Sequence, residues 1–349
     1  MSRKPLRIGG GPRISAALVT GGSGFVGHGV VRALQARGVR VTVLDPGPPH
    51  PLWHRPPGPL SVRHVRGDIL DPATLQASAS GVDAVLHVAG AWSGGPDGED
   101  WMRRLNVGGT RAVLALGLPT VCCSSSITCG FGPRSAPGGE DGPSEDPRRP
   151  VRGTGRVYRE TKLELEQMAR DAGAWIVNPD YVVGPGDVRG VVTAGLLAAA
   201  RLPVFPDPGG GKGFVAVDDC GRGHLRALEQ GIPGRRYLLS AEPRSYADVV
   251  GTLRRLSGGR ARRVPLPLSL VRAACHIPRL APTAGALEQM SLHRYRSGAR
   301  ARAELGWTPG PVDPALAQML AWSEARVARR SIAQPVPGQP THGRGRHAQ

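Results

Sequence analysis

A glycine-rich turn at residues 21–27 constrains the fold of this chain more than any other feature. Its sequence, GGSGFVG, follows a short apolar run at 14–20 and precedes a helical pattern at 25–36. A strand that feeds a helix in this way needs glycine where the chain turns, where a phosphate approaches the backbone, and where helix and strand pack closely. Gly21, Gly24 and Gly27 stand at these points. Because a helix N-terminus favours anions, the segment predicts a dinucleotide-binding turn.

An acidic residue ends the next predicted strand. The apolar run 39–44 leads into Asp45, about 20 residues beyond the turn, where a carboxylate can accept hydrogen bonds from ribose hydroxyls. This carboxylate would repel a 2′-phosphate, and the Pro-Gly-Pro segment 46–48 supplies no cation to hold one. We therefore predict NAD as the cofactor, with NADP less favoured. His50 and Arg55 could fold back toward this position, which keeps NADP as the alternative.

Strand and helix patterns alternate along the first half of the chain. Buried strands are predicted at 61–65, 82–88, 120–124 and 175–178, and helices at 72–80, 99–117 and 158–172. Such alternation is typical of a parallel sheet with helices on both faces. The predicted fold class is α/β, a Rossmann-like doubly wound parallel sheet. A smaller, partly interleaved C-terminal substrate domain is expected where the alternation loosens.

The chain is expected to contain four regions. Residues 1–13 form a loose basic leader, and residues 14–185 form the NAD-binding domain, to which parts of 214–240 return. Residues 186–330 mainly form the substrate-binding domain. Residues 331–349 have no hydrophobic periodicity and are predicted to be a disordered basic tail.

Tyr158 and Lys162 carry the clearest catalytic signal. Spaced at i and i+4 on the predicted helix 158–172, they lie on one helix face. A lysine ammonium stabilises the phenolate form of a neighbouring tyrosine, which allows the tyrosine to act as a general acid or base. The preceding strand ends in three serines, 124–126, and a hydroxyl there could hold a substrate oxygen. Together these groups predict proton transfer at an alcohol or carbonyl oxygen.

The net charge of +18 does not predict a nucleic-acid-binding protein. The 45 lysines and arginines are scattered along the chain, and aromatic residues make up only 4%, too few for base-stacking surfaces. A nucleotide-composition bias toward arginine is the preferred explanation of the charge. An acidic carrier protein or an anionic substrate is the alternative.

The five cysteines indicate the compartment. They have no C-x-x-C spacing, and the adjacent Cys122 and Cys123 would point to opposite faces of a strand, so they cannot easily bind one metal. We predict reduced core cysteines, no metal site and a cytoplasmic location. No apolar stretch approaches the length of a bilayer span, so no transmembrane segment is expected.

These motifs resemble, in this order, the extended short-chain dehydrogenase/reductase superfamily. Within it, the resemblance is to the branch of NAD-dependent epimerases/dehydratases and 3β-hydroxysteroid dehydrogenase-like enzymes. It covers residues 14 to about 325. The matching segments are TGGSGFVG (20–27), GDI (67–69), HVAG (87–90), NVGGT (106–110), Ser124-Ser125, the Tyr158/Lys162 pair, NP (178–179), GPG (184–186), FVAVDD (214–219) and AELGWTP (303–309).

The resemblance implies roles for single residues. Tyr158 would be the general acid/base, Lys162 would also bind the nicotinamide ribose, and Ser125 would be the catalytic serine, with Ser126 as the alternative. Asn106 would brace the site, and His87 would be structural. The residues expected around the cofactor are Gly21, Gly24, Phe25, Val26, Gly27, Asp45, Asp68, Ile69, Ala89, Gly90, Tyr158, Lys162, Pro179 and Val182.

Departures from the family pattern narrow the reaction. Ser126-Ile127 stand where dehydratases carry Asp-Glu, and Lys212-Gly213 stand where sugar-nucleotide enzymes often carry Arg-Asp. We therefore predict an NAD(P)-dependent oxidoreductase that interconverts a secondary alcohol and a ketone. The apolar region 264–292 favours a small, hydrophobic or secondary-metabolite substrate. The alternatives are a sugar or sugar-nucleotide epimerase that uses transient hydride transfer with bound NAD, and a non-catalytic dinucleotide-sensing protein. The resemblance also implies a homodimer.

Overall fold

The structure, a computed structural model, describes residues 6–9, 11, 13–53, 62–92, 98–146, 151, 154–190, 192–259 and 262–333. The strands in these residues are β1 (Ala16–Thr20), β2 (Arg40–Asp45), β3 (Val62–Arg66), β4 (Ala84–His87), β5 (Thr120–Cys123), β6 (Trp175–Pro179), β7 (Tyr181–Val183), β8 (Phe205–Asp207), β9 (Gly211–Ala216), β10 (Arg236–Leu239), β11 (Glu242–Ser245), β12 (Arg263–Pro265) and β13 (His293–Arg294). The α-helices are α1 (Phe25–Ala36), α2 (Pro72–Ala79), α3 (Gly98–Arg103), α4 (Gly109–Leu114), α5 (Thr154–Asp171), α6 (Ala194–Arg201), α7 (Val217–Gln230), α8 (Tyr246–Leu256), α9 (Leu268–Ala274), α10 (Ala281–Met290), α11 (Ala299–Leu305) and α12 (Asp313–Ala333).

Seven strands form one parallel sheet in the order β10-β6-β5-β4-β1-β2-β3. The chain adds β2 and β3 on one side of β1 and then crosses to β4 on the other side. A ligand crevice is expected at such a reversal, outside the carboxyl ends of the strands. Here these ends are Thr20 of β1 and His87 of β4, which are paired in the sheet. The predicted doubly wound α/β fold is confirmed.

Alternate residues of each strand enter cores on opposite faces of the sheet. Val19 and Val43 pack in a cluster with side chains of α1 and α7. Their neighbours Leu18 and Leu44 pack in a second cluster with side chains of α2 and α4. Each fully buried side chain of this kind contributes about 1.5–3 kcal/mol through the hydrophobic effect. This two-sided burial explains why the strands are almost continuously apolar.

A smaller sheet is built around β9. Strands β7 and β13 run parallel to β9, and β11 runs antiparallel to it. A further core cluster, which includes Phe214, Tyr246 and Leu316, packs in this part of the chain. Only Asp180 separates β6 of the large sheet from β7 of the small one. The second sheet therefore starts directly at the carboxyl edge of the first, where the crevice lies.

Three local features differ from the expectations. Leu6 is 1% exposed and its carbonyl accepts a hydrogen bond from the Ile14 N–H (2.8 Å), so the predicted loose leader packs onto the domain at this point. The predicted helix 99–117 is interrupted by a π-helical turn at Arg104–Gly108. Helix α12 continues to Ala333, so the predicted tail begins inside it, and residues 334–349 lie outside the described residues.

Candidate active site

The glycine turn forms a cradle that side chains would fill. Gly21 has a φ of +71°, and a Cβ there would lie 2.7 Å from the backbone of Ala89. A Cβ at Gly27 would overlap the carbonyl oxygen of Gly21. Gly24 is the N-cap of α1 and provides no capping side chain, so the first N–H groups of the helix have no partner there. The cradle and the uncapped helix end fit the pyrophosphate of a dinucleotide.

Asp45 lies beside this turn at the end of β2. Its carboxylate is buried and accepts hydrogen bonds from the N–H groups of Ser23 (3.1 Å) and Gly47 (2.8 Å). The acid is therefore held at the place where an adenosine ribose would extend from the turn. His50 is buried and hydrogen-bonds the Gly186 carbonyl (2.9 Å), and within the described residues it makes no hydrogen bond to Asp45. Arg55 lies outside the described residues.

Four more of the residues expected around the cofactor, Asp68, Ile69, Phe25 and Val26, lie close to these segments in the chain. Asp68 comes two residues after β3, and its carboxylate accepts the N–H of Leu70 (3.0 Å). Ile69 is buried in the cluster that contains Leu44. Phe25 and Val26, in the first turn of α1, are half-buried and pack against the core on the α1 face. The Gly67 N–H donates a hydrogen bond to the Asp45 carbonyl (3.3 Å), which places the segment that carries Asp68 and Ile69 beside the end of β2.

Ala89 and Gly90 connect the glycine turn to the candidate catalytic residues. The backbone of Ala89 lies against Gly21, and a Cβ at Gly90 would lie 3.2 Å from Nζ of Lys162. The same Cβ would lie 3.1 Å from Oδ1 of Asn106. The segment after β4 therefore has little room for a side chain at position 90, because it passes between the glycine turn and the side chains of α5.

Tyr158 and Lys162 lie one turn apart on α5, as their spacing predicts. Lys162 is 4% exposed, its Nζ donates a hydrogen bond to the Cys123 carbonyl (3.2 Å), and it lies 5.7 Å from the centre of the Tyr158 ring. The cation is thus anchored to the end of β5 and points toward the tyrosine. This geometry can stabilise negative charge on the phenol oxygen.

The three consecutive serines have different partners. Ser124 donates to the buried Glu166 (2.6 Å), and Ser126 donates to Asp180 (2.9 Å). The Ser125 oxygen accepts the Ile127 N–H (3.3 Å) and lines a cavity that Tyr158 also lines. Ser126 lines this cavity too, but its proton is directed to Asp180. Of the two candidates, Ser125 is the one whose hydroxyl proton is available to a ligand.

Asn106 joins the site to the neighbouring helix. It lies in the π-helical turn, and its amide exchanges hydrogen bonds with the backbone of Ala91 (both 2.8 Å) and donates to Thr161 (3.0 Å). A π-helical turn often marks a functional site. Thr161 precedes Lys162, so Asn106 fixes the helix that carries the candidate acid/base pair.

His87 has a structural environment. Its ring nitrogens make hydrogen bonds with the hydroxyls of Thr20 (2.7 Å) and Thr110 (3.0 Å), and the side chain is fully buried. Burial lowers the pKa of His87 to about 3, with the nearby Lys162 cation as the second cause. The His87 ring stays neutral and both of its nitrogens are hydrogen-bonded. It therefore links β4 to β1 and α4 and is not available for proton transfer.

Pro179 and Val182 flank the point where the large sheet gives way to the small one. Pro179 ends β6, and Val182 lies in β7 opposite Val215 of β9. Both are buried. Both are among the residues expected around the cofactor, and β6 lies three strands away from β1 in the large sheet.

A cavity of about 250 Å³ lies where these elements meet. Its lining combines polar, apolar and cationic side chains. The residues that line it are Trp92, Ser125, Ser126, Ile127, Ser144, Val151, Thr154, Gly155, Tyr158, Lys212, Arg294 and Arg296. It is smaller than the ~300–1,000 Å³ of most small-molecule sites. Of the apolar region 264–292, none of the residues whose side chains the structure describes lines the cavity, and several large side chains, among them Leu270, Ile277 and Leu280, are exposed.

Comparison with known proteins identifies the family. The sequence profile of the NAD dependent epimerase/dehydratase family matches residues 17–240. The chain belongs to this family. Sterol demethylase protein B of Methylococcus capsulatus is 27% identical to it over 335 residues, which cover 88% of this chain and 98% of that protein. The 2-alkyl-3-oxoalkanoate reductase of Stenotrophomonas maltophilia is 30% identical over 285 residues, which cover 73% and 79%.

The solved structures agree with this assignment. The crystal structure of gox2253 is 30% identical to this epimerase/dehydratase-family chain and superposes with a TM-score of 0.72, covering 89% of this chain and 98% of the other. The predicted superfamily, the NAD-dependent enzyme class and the NAD cofactor are confirmed. The cytoplasmic location, the homodimer and the domain boundaries stay predictions. In the part of the chain that the structure describes, no helix has the length and apolar character needed to cross a bilayer.

Two cationic residues of the cavity could not be identified from the sequence. Arg294 and Arg296 lie in none of the segments that match the family, whereas Lys212 stands where sugar-nucleotide enzymes often carry arginine. They reach the site because β13 pairs with β9, which places Arg294 opposite Lys212 in the sheet. The two strands are separated by more than seventy residues, and no local sequence pattern indicates that they pair.

Proposed function

We propose that this chain is an NAD-dependent oxidoreductase that interconverts a secondary alcohol and a ketone on a small hydrophobic or amphipathic substrate. The observation that carries the proposal is that Ser125 and Tyr158 line one cavity while Lys162 is anchored beside the tyrosine. A hydroxyl donor, a phenol and a buried cation are the groups that proton transfer at a carbinol oxygen requires.

In the direction of oxidation, Ser125, Tyr158 and Lys162 have separate roles. The Ser125 hydroxyl donates a hydrogen bond to the substrate oxygen and so orients it. The Tyr158 phenolate takes the hydroxyl proton, and the Lys162 ammonium stabilises the phenolate until then. When bound, NAD supplies the hydride-transfer chemistry at the carbon that carries this oxygen. In reduction, the Tyr158 phenol returns the proton to the oxygen.

The glycine cradle and Asp45 would hold the two phosphates and the adenosine ribose of NAD, and Lys162 would bind the nicotinamide ribose. Gly90 leaves room for the cofactor between the turn and α5, since a side chain there would meet Lys162. The relative named 2-alkyl-3-oxoalkanoate reductase supports a ketone as the reacting group. The apolar side chains Trp92, Ile127 and Val151 would cover the apolar part of the substrate.

A sugar or sugar-nucleotide epimerase is the second candidate. A relative from Streptomyces bikiniensis named dTDP-4-dehydro-6-deoxy-D-allose reductase, 27% identical over 276 residues that cover 71% of this chain, favours sugar chemistry. An epimerase would return the hydride to the opposite face, so it would invert a stereocentre without net change of NAD. A dinucleotide sensor would not need Ser125 and Tyr158 on one cavity with Lys162 beside the tyrosine, which argues against that alternative.

The test is a panel of secondary alcohols and ketones incubated with NAD or its reduced form, with the absorbance of reduced nicotinamide as the readout. Net turnover supports the oxidoreductase; inversion of a sugar stereocentre without net reduction supports the epimerase. Tyr158→Phe should lower kcat by at least about 100-fold, because general acid/base catalysis contributes roughly 10²–10⁴-fold. Tyr237→Phe is the matched control, since Tyr237 bonds to Ile232 and Glu304 and does not line the cavity. If Tyr158→Phe kept full turnover, the proposed mechanism would be wrong.

A further inference from the structure

The lining of the cavity carries a concentration of positive charge that the proposed mechanism does not use. Lys212 of β9, Arg294 of β13 and Arg296, two residues further on, all line the cavity. Lys212 and Arg294 are opposite each other in the paired strands. Three cations thus converge on one small volume.

One carboxylate, that of Asp180, contacts this group of cations. Oδ1 of Asp180 accepts hydrogen bonds from Ser126 (2.9 Å) and from Nη1 of Arg296 (3.5 Å), while Oδ2 makes none within the described residues. Asp180 also attracts Lys212. Neither Lys212 nor Arg294 makes an ion pair with any acid in the described ranges. Three positive charges therefore face one negative charge.

Burial makes the excess of positive charge on Lys212 and Arg294 energetically unfavourable. Burial lowers the pKa of Lys212 to about 8; Asp180 opposes the shift, and Arg296 and Arg294 add to it. Burial likewise lowers the pKa of Arg294, and repulsion by Arg296 lowers it further, against the opposing influence of Tyr246. The Tyr181 ring partly compensates for the burial of the Lys212 ammonium, because its centre lies 5.3 Å from Nζ and an aromatic ring attracts a cation. Buried cations are normally paired, so an arrangement that leaves two of them unpaired is explained by a ligand that pairs them.

We infer that Lys212, Arg294 and Arg296 form an anion-binding subsite that holds a carboxylate or phosphate group of the substrate while its carbonyl or hydroxyl lies at Ser125 and Tyr158. The substrate class is then a small, amphipathic oxyanion-bearing ketone or alcohol. The reaction assigned to this substrate rests on the proposed function, whereas the binding of the anion does not.

Three methyl ketones of equal chain length test the inference on the wild-type enzyme with reduced NAD. They end in a methyl group, a carboxylate or a phosphate monoester. At least one anionic ketone should have a kcat/KM about 10-fold or more above that of the neutral one, mainly through KM. Which anion is preferred identifies the ligand as carboxylate or phosphate. A neutral ketone that is used as well as both anionic ones would overturn the inference.

Charge-removing variants locate the effect. Lys212→Met and Arg294→Met should each lower kcat/KM for the anionic ketone about 10- to 100-fold and change it less than twofold for the neutral ketone. Arg263→Met is the matched control: Arg263 is exposed, pairs with Asp207 and does not line the cavity. An equal loss in all three variants would show that net charge acts instead of the subsite. Equal loss for charged and neutral ketones would also contradict it.

Calorimetry separates this inference from the proposed function. NAD-loaded wild-type protein and NAD-loaded Lys212→Met are titrated with the same anionic and neutral ketones, in the absence of turnover. Tighter binding of an anionic ketone to wild type, lost in Lys212→Met, supports the subsite even if no ketone is reduced. Equal affinity of the wild-type protein for anionic and neutral ketones would refute the subsite even if reduction is observed.

Discussion

The ammonium nitrogen of Lys162 lies 5.7 Å from the centre of the Tyr158 ring, one turn further along α5. Its only hydrogen-bond acceptor in the described residues is the carbonyl of Cys123 at the end of β5, at 3.2 Å. The cation is nearly buried, so its field is weakly screened by water and acts strongly on its neighbours. Strand β5 thus fixes the charge that helix α5 presents to the tyrosine.

Replacement of Lys162 by methionine should therefore disable catalysis without unfolding the protein. Methionine keeps most of the volume of the side chain and removes its charge, so we expect kcat to fall at least about 100-fold, within the range for acid/base catalysis. The melting temperature measures the fold, and steady-state kinetics with the best alcohol of the panel measures the loss. If Lys162→Met retained more than a tenth of wild-type kcat, the lysine would have no part in activating the tyrosine.

Ser125 and Ser126 should differ in which property they affect. Ser125→Ala removes a hydroxyl that lines the cavity and should lower kcat/KM by roughly 10- to 1,000-fold, while the lost acceptor of the Ile127 N–H should lower the melting temperature only slightly. Ser126→Ala removes the nearer of the two donors to Asp180 and should cost about 1–3 kcal/mol of unfolding free energy, because the buried carboxylate keeps only the longer hydrogen bond from Arg296.

The two serine variants control each other. Kinetics and urea unfolding are measured on both. The reverse pattern, with catalysis lost in Ser126→Ala and stability lost in Ser125→Ala, would exchange the two assignments.

Asp45 should decide between the two dinucleotides. Asp45→Ala removes the carboxylate beside the turn, so the affinity for NAD should fall about 10-fold or more, as expected for a lost hydrogen bond to a charged group. The affinity for NADP should stay level or rise, since the repulsion of its 2′-phosphate disappears. Fluorescence titration with both reduced cofactors measures the ratio, and NADP serves as the internal control for damage to the turn. Equal losses for both cofactors would contradict the role of Asp45.

Gly27 tests the close packing of the turn. Gly27→Ala places a methyl group into the carbonyl oxygen of Gly21, so the turn must move, and we expect at least about a 10-fold loss of NAD affinity and a lower melting temperature. Gly195→Ala is the matched control, because a Cβ at Gly195, in helix α6, would have nothing within 4 Å. That variant should stabilise by about 0.4–1 kcal/mol or be neutral. Equal effects of the two variants would mean that the turn tolerates a side chain.

The parts of the site that are encoded locally were predictable from the sequence. The glycine turn, the strand that ends in Asp45 and the i, i+4 pair Tyr158/Lys162 all depend on spacings of fewer than about thirty residues. The choice between Ser125 and Ser126 was not predictable, because it depends on Asp180, which reaches Ser126 from beyond the end of β6. The cluster of Lys212, Arg294 and Arg296 depends on the pairing of β13 with β9, for which hydrophobic periodicity gives no signal.

Buried histidines should make the protein sensitive to acid. Both ring nitrogens of His28 lack hydrogen-bond partners in the described residues, and the ring stacks on His50 with 4.2 Å between centres. Burial, and then the neighbouring His50 and Arg32, lower the pKa of His28 to about 3 from the ordinary 6.5. The pKa values of His87 and His224 are lowered to about 3 and about 4, in both cases mainly by burial.

The sign of the effect follows from proton binding. Below pH 6.5, and down to about pH 3 for His28 and His87 and about pH 4 for His224, these rings bind protons in the unfolded chain but not in the folded one, so the free energy of unfolding decreases as the pH falls through these windows. Urea unfolding at several pH values between about 7.5 and about 4.5 should show this decrease. His28→Leu should make the slope shallower by the equivalent of about one proton. His293→Leu, at an exposed position, should leave the slope unchanged. A slope in His28→Leu equal to that of the wild type would mean that His28 is already protonated in the folded protein.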